Sequence, residues 1–298
     1  MSRAVPPINR QYAGRVDLHA HTTASDGHDS PTQLVRLALE RKLVALGITD
    51  HDSMAGVQEA TRAAQGTDLT LFPGVEFNTD VPGREVHVIG YFADPAVPLL
   101  REKLALLQGG REERARRILG KLEQLGISLP WDRVTAQAGG AIGRPHIARA
   151  LLAAGYVESV QDAFDRFLAK GCPAYVEHLR VTPEGAVKMT VDGGGVPVLA
   201  HPMGVLDYLE PLIAVGLQGL EVYYPSHTPE DVESLRRLAD RYHLIPTGGT
   251  DYHGYPKFDN TGLGDVDVPL DSVRQLRAAG DIALARYRER QEQDAGPG

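Results

Sequence analysis

The sequence has almost no cysteine and no long apolar run. Its single cysteine, Cys172, excludes an internal disulfide framework and a cysteine-rich zinc module. No segment approaches about 18 consecutive apolar residues, so we expect no transmembrane helix. Residues 1–14 lack the apolar stretch of a signal peptide. We therefore expect a protein of the reducing cytoplasm.

An excess of positive charge is also absent. The 298 residues include 31 basic and 39 acidic side chains, giving a formal net charge of −8. This balance excludes a uniformly basic coat for nucleic acid, although a local basic patch remains compatible with it. The composition, with 42% hydrophobic and 23% charged residues, is typical of a globular protein with one large domain or two smaller ones. Histidine is the residue type that stands out, with 11 copies.

Strand and helix patterns alternate in the first and last thirds of the chain, which predicts parallel βα units. Between them the pattern is helical, with helices predicted over 99–125, 144–154 and 160–170. Residues 97–190 carry 14 basic and 10 acidic side chains, whereas the remainder carries 17 and 29. We therefore expect an α/β barrel in two parts, 1–96 and 191–298, around a helical insertion at 97–190. The polar tail after Tyr287 is expected to be frayed.

Histidines and carboxylates occur at nearly every predicted strand end. The first is the H-x-H pair His19 and His21, whose alternation in extended backbone turns both imidazoles to one side. Later motifs are T-D-H, G-V-E, A-H-P and G-T-D-x-H. Each motif alone is ambiguous, but unrelated structural histidines would have no reason to share one end of successive strands. The candidate ligands are His19, His21, Asp26, His51, Glu76, His87, His201, Asp251 and His253.

Nine candidate ligands exceed the three or four that one catalytic metal needs. Imidazole and carboxylate without thiolate suit Zn²⁺, Mn²⁺ or Fe. Two or three clustered ions would use the whole set, and Glu76 is a natural bridge between them.

The order of these motifs resembles the PHP (polymerase and histidinol phosphatase) superfamily over residues 15–254. The resemblance implies a distorted (β/α)7 barrel, the PHP fold, with three divalent metal ions per chain, Mn²⁺ first among the candidates. It implies three ligand sets. They are His19, His21, Glu76 and Asp251; Asp26, His51 and His253; and Glu76, His87 and His201.

Two segments of the insertion resemble one subgroup of the PHP superfamily in particular. Arg111–Arg117 (REERARR) and Gly143–His146 (GRPH) are similar to segments of the subgroup that dephosphorylates nucleoside 3′,5′-bisphosphates. The same subgroup includes enzymes that trim RNA from a 5′-phosphorylated end.

The insertion supplies candidate substrate-binding residues. Arginines spaced three apart lie near one another on a helix, and a helix start attracts an anion. A second substrate phosphate held by these arginines and this helix start would explain a preference for bisphosphates over monophosphates. The candidates are Arg111, Arg114, Arg117, Gly143, Arg144 and His146.

The resulting hypothesis is metal-assisted hydrolysis of the 3′-phosphate of adenosine 3′,5′-bisphosphate (pAp) to AMP, with a hydroxide bridging two ions as nucleophile. Three alternatives remain: a 5′-to-3′ exoribonuclease, a histidinol phosphatase and a non-catalytic metal-binding accessory domain. His146 and His201 are candidate proton donors for the leaving group. The expected partners are a nucleotide or a short 5′-phosphorylated RNA, with no membrane and no obligate protein partner.

Overall fold

Seven strands form one sheet in the computed structural model, which describes residues 15–81, 84–92, 97–136, 140, 142–177, 181–255 and 261–294. In sheet and chain order they are β1 (Arg15–Asp17), β2 (Leu43–Ile48), β3 (Thr70–Val81), β4 (Arg84–Tyr91), β5 (Val196–Leu199), β6 (Gly219–Tyr223) and β7 (Ile245–Gly248). Beyond β1, the Leu18 N–H donates to the Gly248 carbonyl at 3.1 Å and the His21 N–H to the Tyr252 carbonyl at 2.9 Å. These bonds join the first strand to the last, which makes the sheet a distorted barrel.

The expectation of parallel strands is wrong for β4. Strands β1, β2 and β3 pair in parallel, as do β5, β6 and β7, but β4 runs antiparallel to both of its neighbours. Only two residues separate Val81 from Arg84. A parallel crossover needs about a dozen residues, so this connection permits only an antiparallel hairpin.

Helices cover the strands and fill the middle of the chain. Helix α1 (Pro31–Glu40) begins with a capping box, in which Ser30 Oγ accepts the Gln33 N–H and the Gln33 side-chain oxygen accepts the Ser30 N–H. The helices are α1 (Pro31–Glu40), α2 (Val57–Ala63), α3 (Pro98–Gln124), α4 (Trp131–Thr135), α5 (Arg144–Ala153), α6 (Val160–Ala163, continued by a π-helical turn over Phe164–Leu168), α7 (Pro183–Asp192), α8 (Leu209–Ala214, preceded by a 3₁₀ turn over Leu206–Tyr208), α9 (Pro229–Tyr242) and α10 (Leu270–Asp294).

The expected frayed tail is wrong as far as Asp294. Helix α10 continues through Tyr287, and Val273 and Leu276 near its start are buried in the barrel core. Farther along, the Arg290 guanidinium donates to the Val191 carbonyl at 3.0 Å. Contacts with the barrel therefore hold a helix whose sequence is mostly polar. Residues 1–14 and 295–298 lie outside the described part.

The helical insertion has a hydrophobic cluster of its own. Ile118, Leu122, Ile147 and Leu151 are buried together there. In contrast, Ala186, Val187 and Met189 of α7 belong to a cluster with the strands. The domain boundaries at 97 and 190 stay a prediction. Over the described ranges, no helix is both long enough and apolar enough to cross a membrane.

Candidate metal centre and its cavity

The nine candidate ligands converge at one end of the barrel. His19 and His21 follow β1, and His51 follows β2. Glu76 and His87 lie within β3 and β4. The remaining four are loop residues: Asp26 after β1, His201 after β5, and Asp251 and His253 after β7. The barrel thus collects side chains from strands far apart in the sequence.

Glu76 lies at the centre of the cluster and is 1% exposed. Five imidazole nitrogens surround its two oxygens. Oε2 lies 3.3 Å from His19 Nε2, 3.2 Å from His21 Nε2 and 3.0 Å from His51 Nδ1, and Oε1 lies 2.9 Å from His87 Nδ1 and 3.2 Å from His201 Nε2. One buried carboxylate therefore contacts five of the six predicted histidines.

Asp251 and Asp26 flank Glu76. Asp251 Oδ1 lies 3.0 Å from His21 Nε2, and Asp26 Oδ1 lies 3.3 Å from His253 Nε2. Three groups of ligand atoms lie within 4.8 Å of one another: His19, His21, Glu76 and Asp251; His21, Asp26, His51 and His253; and His51, Glu76 and His87. The first equals one predicted set, the second adds His21 to another, and the third has His51 where the prediction has His201.

Several converging atoms in this cluster lack hydrogen-bond partners among the described residues. They are His19 Nε2, His21 Nε2, Asp26 Oδ1, Glu76 Oε2, His87 Nε2 and Asp251 Oδ1. A buried polar atom without a partner costs about 1–3 kcal/mol, so six in one place call for a common ligand. Imidazole nitrogens and carboxylate oxygens are donors that divalent ions take, so the residues fit a metal centre.

The carboxylates of the cluster are anionic. Burial by itself raises the pKa of Glu76, but the neighbouring His51, His19 and His87 outweigh it and hold that pKa well below its usual value. The pKa of Asp251 is likewise well below its usual value, because the nearby His19, His21 and His253 outweigh burial. The same contacts raise the pKa of His19 and bring the pKa of His21 to about 10, because the neighbouring carboxylates outweigh burial. A bound cation would therefore displace protons from these imidazoles.

Glu221, on β6, orients two of the histidines and was missed by the sequence reasoning. It is 1% exposed. His19 Nδ1 donates to its Oε1 at 3.0 Å, and the backbone N–H of His201 donates to its Oε2 at 2.7 Å. Such a carboxylate fixes the ring orientation of a metal-binding histidine. The sequence feature that could have identified Glu221 is a single acidic residue within an otherwise apolar strand.

Backbone conformation at the cluster is unusual at three non-glycine residues. Asp52, His201 and Asp251 have φ values of 49°, 28° and 52°. Residues in this region of φ cost about 1–3 kcal/mol and persist when surrounding contacts enforce them. Each has such a contact. The Asp52 N–H donates to the Glu76 carbonyl, the His201 N–H donates to Glu221, and Asp251 accepts from the Tyr224 hydroxyl.

A cavity of about 240 Å³ lies between the cluster and the insertion. Asp26, His51 and His87 line it on the barrel side. Opposite them, the insertion contributes mainly cationic and apolar residues, among them Arg111, Arg114, Gly143, Arg144, Ile147 and Phe164.

The predicted arginines do not all face this cavity in the same way. Arg114 lines it, and so does Arg144, whose Nη2 donates to Glu85 Oε1 at 2.6 Å. Arg111 lines it too, but its Nε donates to the buried Asp52. Arg117 is exposed and does not line the cavity. It follows Arg111 by six residues, which places its side chain about 240° further around the helix axis.

His146 and Gly143 bond to each other. The Gly143 N–H donates to His146 Nδ1 at 2.9 Å, so it is not available to an anion. The His146 side chain is 1% exposed and is absent from the cavity lining. Burial, with smaller effects of Arg149 and Arg111, lowers the pKa of His146 to about 4. The imidazole is therefore neutral at pH 7 and caps α5; proton donation by His146 stays a prediction.

Comparison with known proteins decides the family. The PHP domain family model matches residues 17–107. The 3′,5′-nucleoside bisphosphate phosphatase of Chromobacterium violaceum is 36% identical over 248 residues, covering 80% of this chain and 87% of that protein. This chain belongs to the PHP family. It is a metal-dependent phosphoric ester hydrolase.

Other PHP relatives carry different names. The 5′-3′ exoribonuclease Rnm of Salmonella typhimurium is 37% identical, with 81% of this chain and 86% of that protein covered. A phosphoribosyl 1,2-cyclic phosphate 1,2-diphosphodiesterase of Eggerthella lenta is 32% identical, with 80% and 94% covered. The crystal structure of a presumed metal-dependent phosphoesterase of Bifidobacterium adolescentis superposes with a TM-score of 0.82 at 34% identity, covering 90% of this chain and 97% of that one. The names of these relatives therefore agree on hydrolysis of a phosphate ester but differ in the substrate.

Proposed function

We propose that this protein removes the 3′-phosphate from nucleoside 3′,5′-bisphosphates, converting pAp to AMP. The observation that carries the proposal is the cavity, which has the carboxylate–imidazole cluster on one side and Arg114 and Arg144 on the other. Such a cavity offers one site for the phosphate to be cleaved and another for a second phosphate. The name of the Chromobacterium violaceum relative agrees with this substrate.

Three divalent ions, with Mn²⁺ the first candidate, would be held by the nine predicted ligands. Bound there, they would supply a hydroxide nucleophile at neutral pH and offset the charge of the phosphoryl group. Glu76 contacts five imidazoles and is the ligand placed to serve more than one ion.

The chain's own contribution is to bind and orient the substrate. Arg144 and Arg114 would hold the 5′-phosphate through charge-assisted hydrogen bonds. Arg144 is held towards the cavity by Glu85, and its guanidinium carbon lies 5.6 Å from the centre of the Phe164 ring. Phe164 and Ile142 would give the nucleoside an apolar wall. His201 is 27% exposed at its side chain and remains a candidate proton donor to the leaving oxygen.

A second candidate function is 5′-to-3′ exoribonuclease activity, which the name of the Salmonella typhimurium relative favours. The cavity volume favours the smaller substrate. Pockets for small ligands measure about 300–1,000 Å³, and this cavity, at about 240 Å³, is already small for one nucleotide. Histidinol phosphate carries a cationic amine, which the arginine-lined wall disfavours.

Substitution of Arg144 tests the second-phosphate site. Arg144→Met should lower kcat/KM for pAp by about 10- to 100-fold, because it removes a charged hydrogen-bond donor from the 5′-phosphate. Hydrolysis of 3′-AMP, which lacks that phosphate, should change little. Phosphate release by the Mn²⁺-loaded protein measures both.

Arg116→Met is the matched control, since Arg116 is exposed and pairs with Glu112 outside the cavity. It should leave both rates unchanged. Equal losses on pAp and 3′-AMP in Arg144→Met would contradict a role in binding the second phosphate.

A further inference from the structure

Helix α3 of the insertion reaches the metal cluster through one buried ion pair. Arg111 Nε and Nη2 lie 2.7 and 2.6 Å from Asp52 Oδ2. The Arg111 side chain is 9% exposed and the Asp52 side chain 0%. Gln108, one turn earlier on α3, donates to the Asp52 carbonyl at 3.2 Å. Two α3 side chains thus fix a residue that directly follows the predicted ligand His51.

Asp52 in turn fixes the turn that aims His51. Its φ of 49° lies in the left-handed region, which an aspartate adopts at a cost. Its N–H donates to the Glu76 carbonyl at 2.9 Å, and its Oδ1 accepts the Asn78 N–H at 3.1 Å. The Asn78 side-chain amide donates to His51 Nδ1 at 2.8 Å. The Asp52 carboxylate therefore ties the His51 turn to the strand that carries Glu76.

We propose that Arg111 is a positioning residue of the metal centre, holding Asp52 and through it His51, rather than a ligand of substrate phosphate. Two of its three guanidinium nitrogens are directed at Asp52. The third, Nη1, lies beside Gly143, 3.3 Å from where a Cβ would stand. The phosphate is assigned to Arg144 and Arg114, which line the cavity.

The physical reason is the cost of an unpaired buried charge. Without Arg111, the Asp52 carboxylate would lack its cationic partner in a site closed to water. Asp52 would have to move towards solvent, and the left-handed turn at positions 51–52 would move with it. His51 belongs to two of the three ligand groups, so its displacement weakens both.

Metal affinity tests this inference without reference to any substrate. It rests on the metal centre of the proposed function, but not on pAp being the substrate. Calorimetric titration of chelator-treated full-length protein with Mn²⁺ should show about 10- to 100-fold weaker binding of at least one ion in Arg111→Met, as for other losses of outer-shell support. The Mn²⁺ affinity of Arg111→Lys should lie between those of Arg111→Met and the unmodified protein, because an ammonium keeps the charge of Arg111 but not its planar pair of donors. Arg101→Met, an exposed arginine of the same helix, is the control and should bind Mn²⁺ as the unmodified protein does.

A double variant tests whether Arg111 acts through Asp52. Asp52→Asn alone should weaken Mn²⁺ binding, and adding Arg111→Met to it should cost little more, because the pair is already broken. Independent, additive losses would overturn the proposal, as would Mn²⁺ affinity unchanged in both Arg111 variants. If Arg111→Met fails to fold by circular dichroism, Arg111→Lys and Asp52→Asn carry the test. Unchanged Mn²⁺ binding in these two variants would equally overturn the proposal.

Discussion

Glu221 shows how much of this metal centre depends on a single buried side chain behind the ligands. Its two oxygens accept from His19 Nδ1 and from the His201 backbone. It therefore fixes the ring of one predicted ligand and the backbone of another. The His201 backbone has a φ of 28° and needs such support.

Glu221→Gln should weaken Mn²⁺ binding and lower kcat, each by about 10- to 100-fold, because an amide supplies one acceptor oxygen and no charge. Metal content after gel filtration and steady-state kinetics measure the two effects. Glu230→Gln, at an exposed position of α9, is the control and should change neither. Full metal content in Glu221→Gln would show that Glu221 only fills space.

The predicted ligands could be found from sequence because each belongs to a short motif beside a predicted strand. Glu221, Asn78 and the Asp52–Arg111 pair could not, because their partners lie far away in the chain. Arg111 is 59 positions from Asp52, and Glu221 is 202 positions from His19. Such contacts depend on how the insertion and the strands pack, which local patterns do not specify.

Strand and helix positions followed from sequence more closely than strand direction did. The helices predicted over 99–125 and 144–154 agree within one residue at each end with α3 (Pro98–Gln124) and α5 (Arg144–Ala153). The antiparallel direction of β4 was missed, although the two-residue connection to β3 pointed to it. Helix α7 was not predicted, yet it packs Ala186 and Val187 against the sheet.

Helix α3 contains a glycine that its structure does not require. A Cβ added at Gly120 would meet no described atom within 4 Å. Gly120→Ala should raise the free energy of unfolding by roughly 0.5–1 kcal/mol, because alanine loses less backbone entropy in a helix. Urea unfolding in the presence of chelator measures it without a contribution from metal.

Gly90 on β4 provides the contrasting variant. There a Cβ would lie 2.6 Å from Thr190 Oγ1 on α7. Gly90→Ala should therefore destabilise the protein, by about 1–3 kcal/mol. A stability loss in Gly120→Ala, or none in Gly90→Ala, would contradict these packing assignments.

The molecule as a whole joins an acidic barrel to a basic insertion around one cavity. The insertion has a hydrophobic cluster of its own, but the contacts of Arg111 and Gln108 tie it to the loop that holds His51. Direct contacts therefore connect the wall of the cavity formed by the insertion to the wall that carries the ligand cluster.

Removal of metal should destabilise the whole molecule. The cluster brings Asp26, Glu76 and Asp251 together with unpartnered imidazole nitrogens, and bound cations would satisfy them. Free Mn²⁺ at about 100 times its dissociation constant would contribute roughly 2.7 kcal/mol per site. The melting temperature should thus be higher with Mn²⁺ than with EDTA by about 5 °C or more. Identical melting curves would contradict a metal centre at this cluster.

The most direct test of the proposed activity compares pAp with a 5′-phosphorylated RNA oligonucleotide on the Mn²⁺-loaded protein, with released phosphate and released nucleotide measured separately. We predict inorganic phosphate and AMP from pAp, at a kcat/KM well above that for any nucleotide release from RNA. Stepwise release of mononucleotides from the RNA, with pAp cleaved more slowly, would contradict the account and make the same site that of an exoribonuclease.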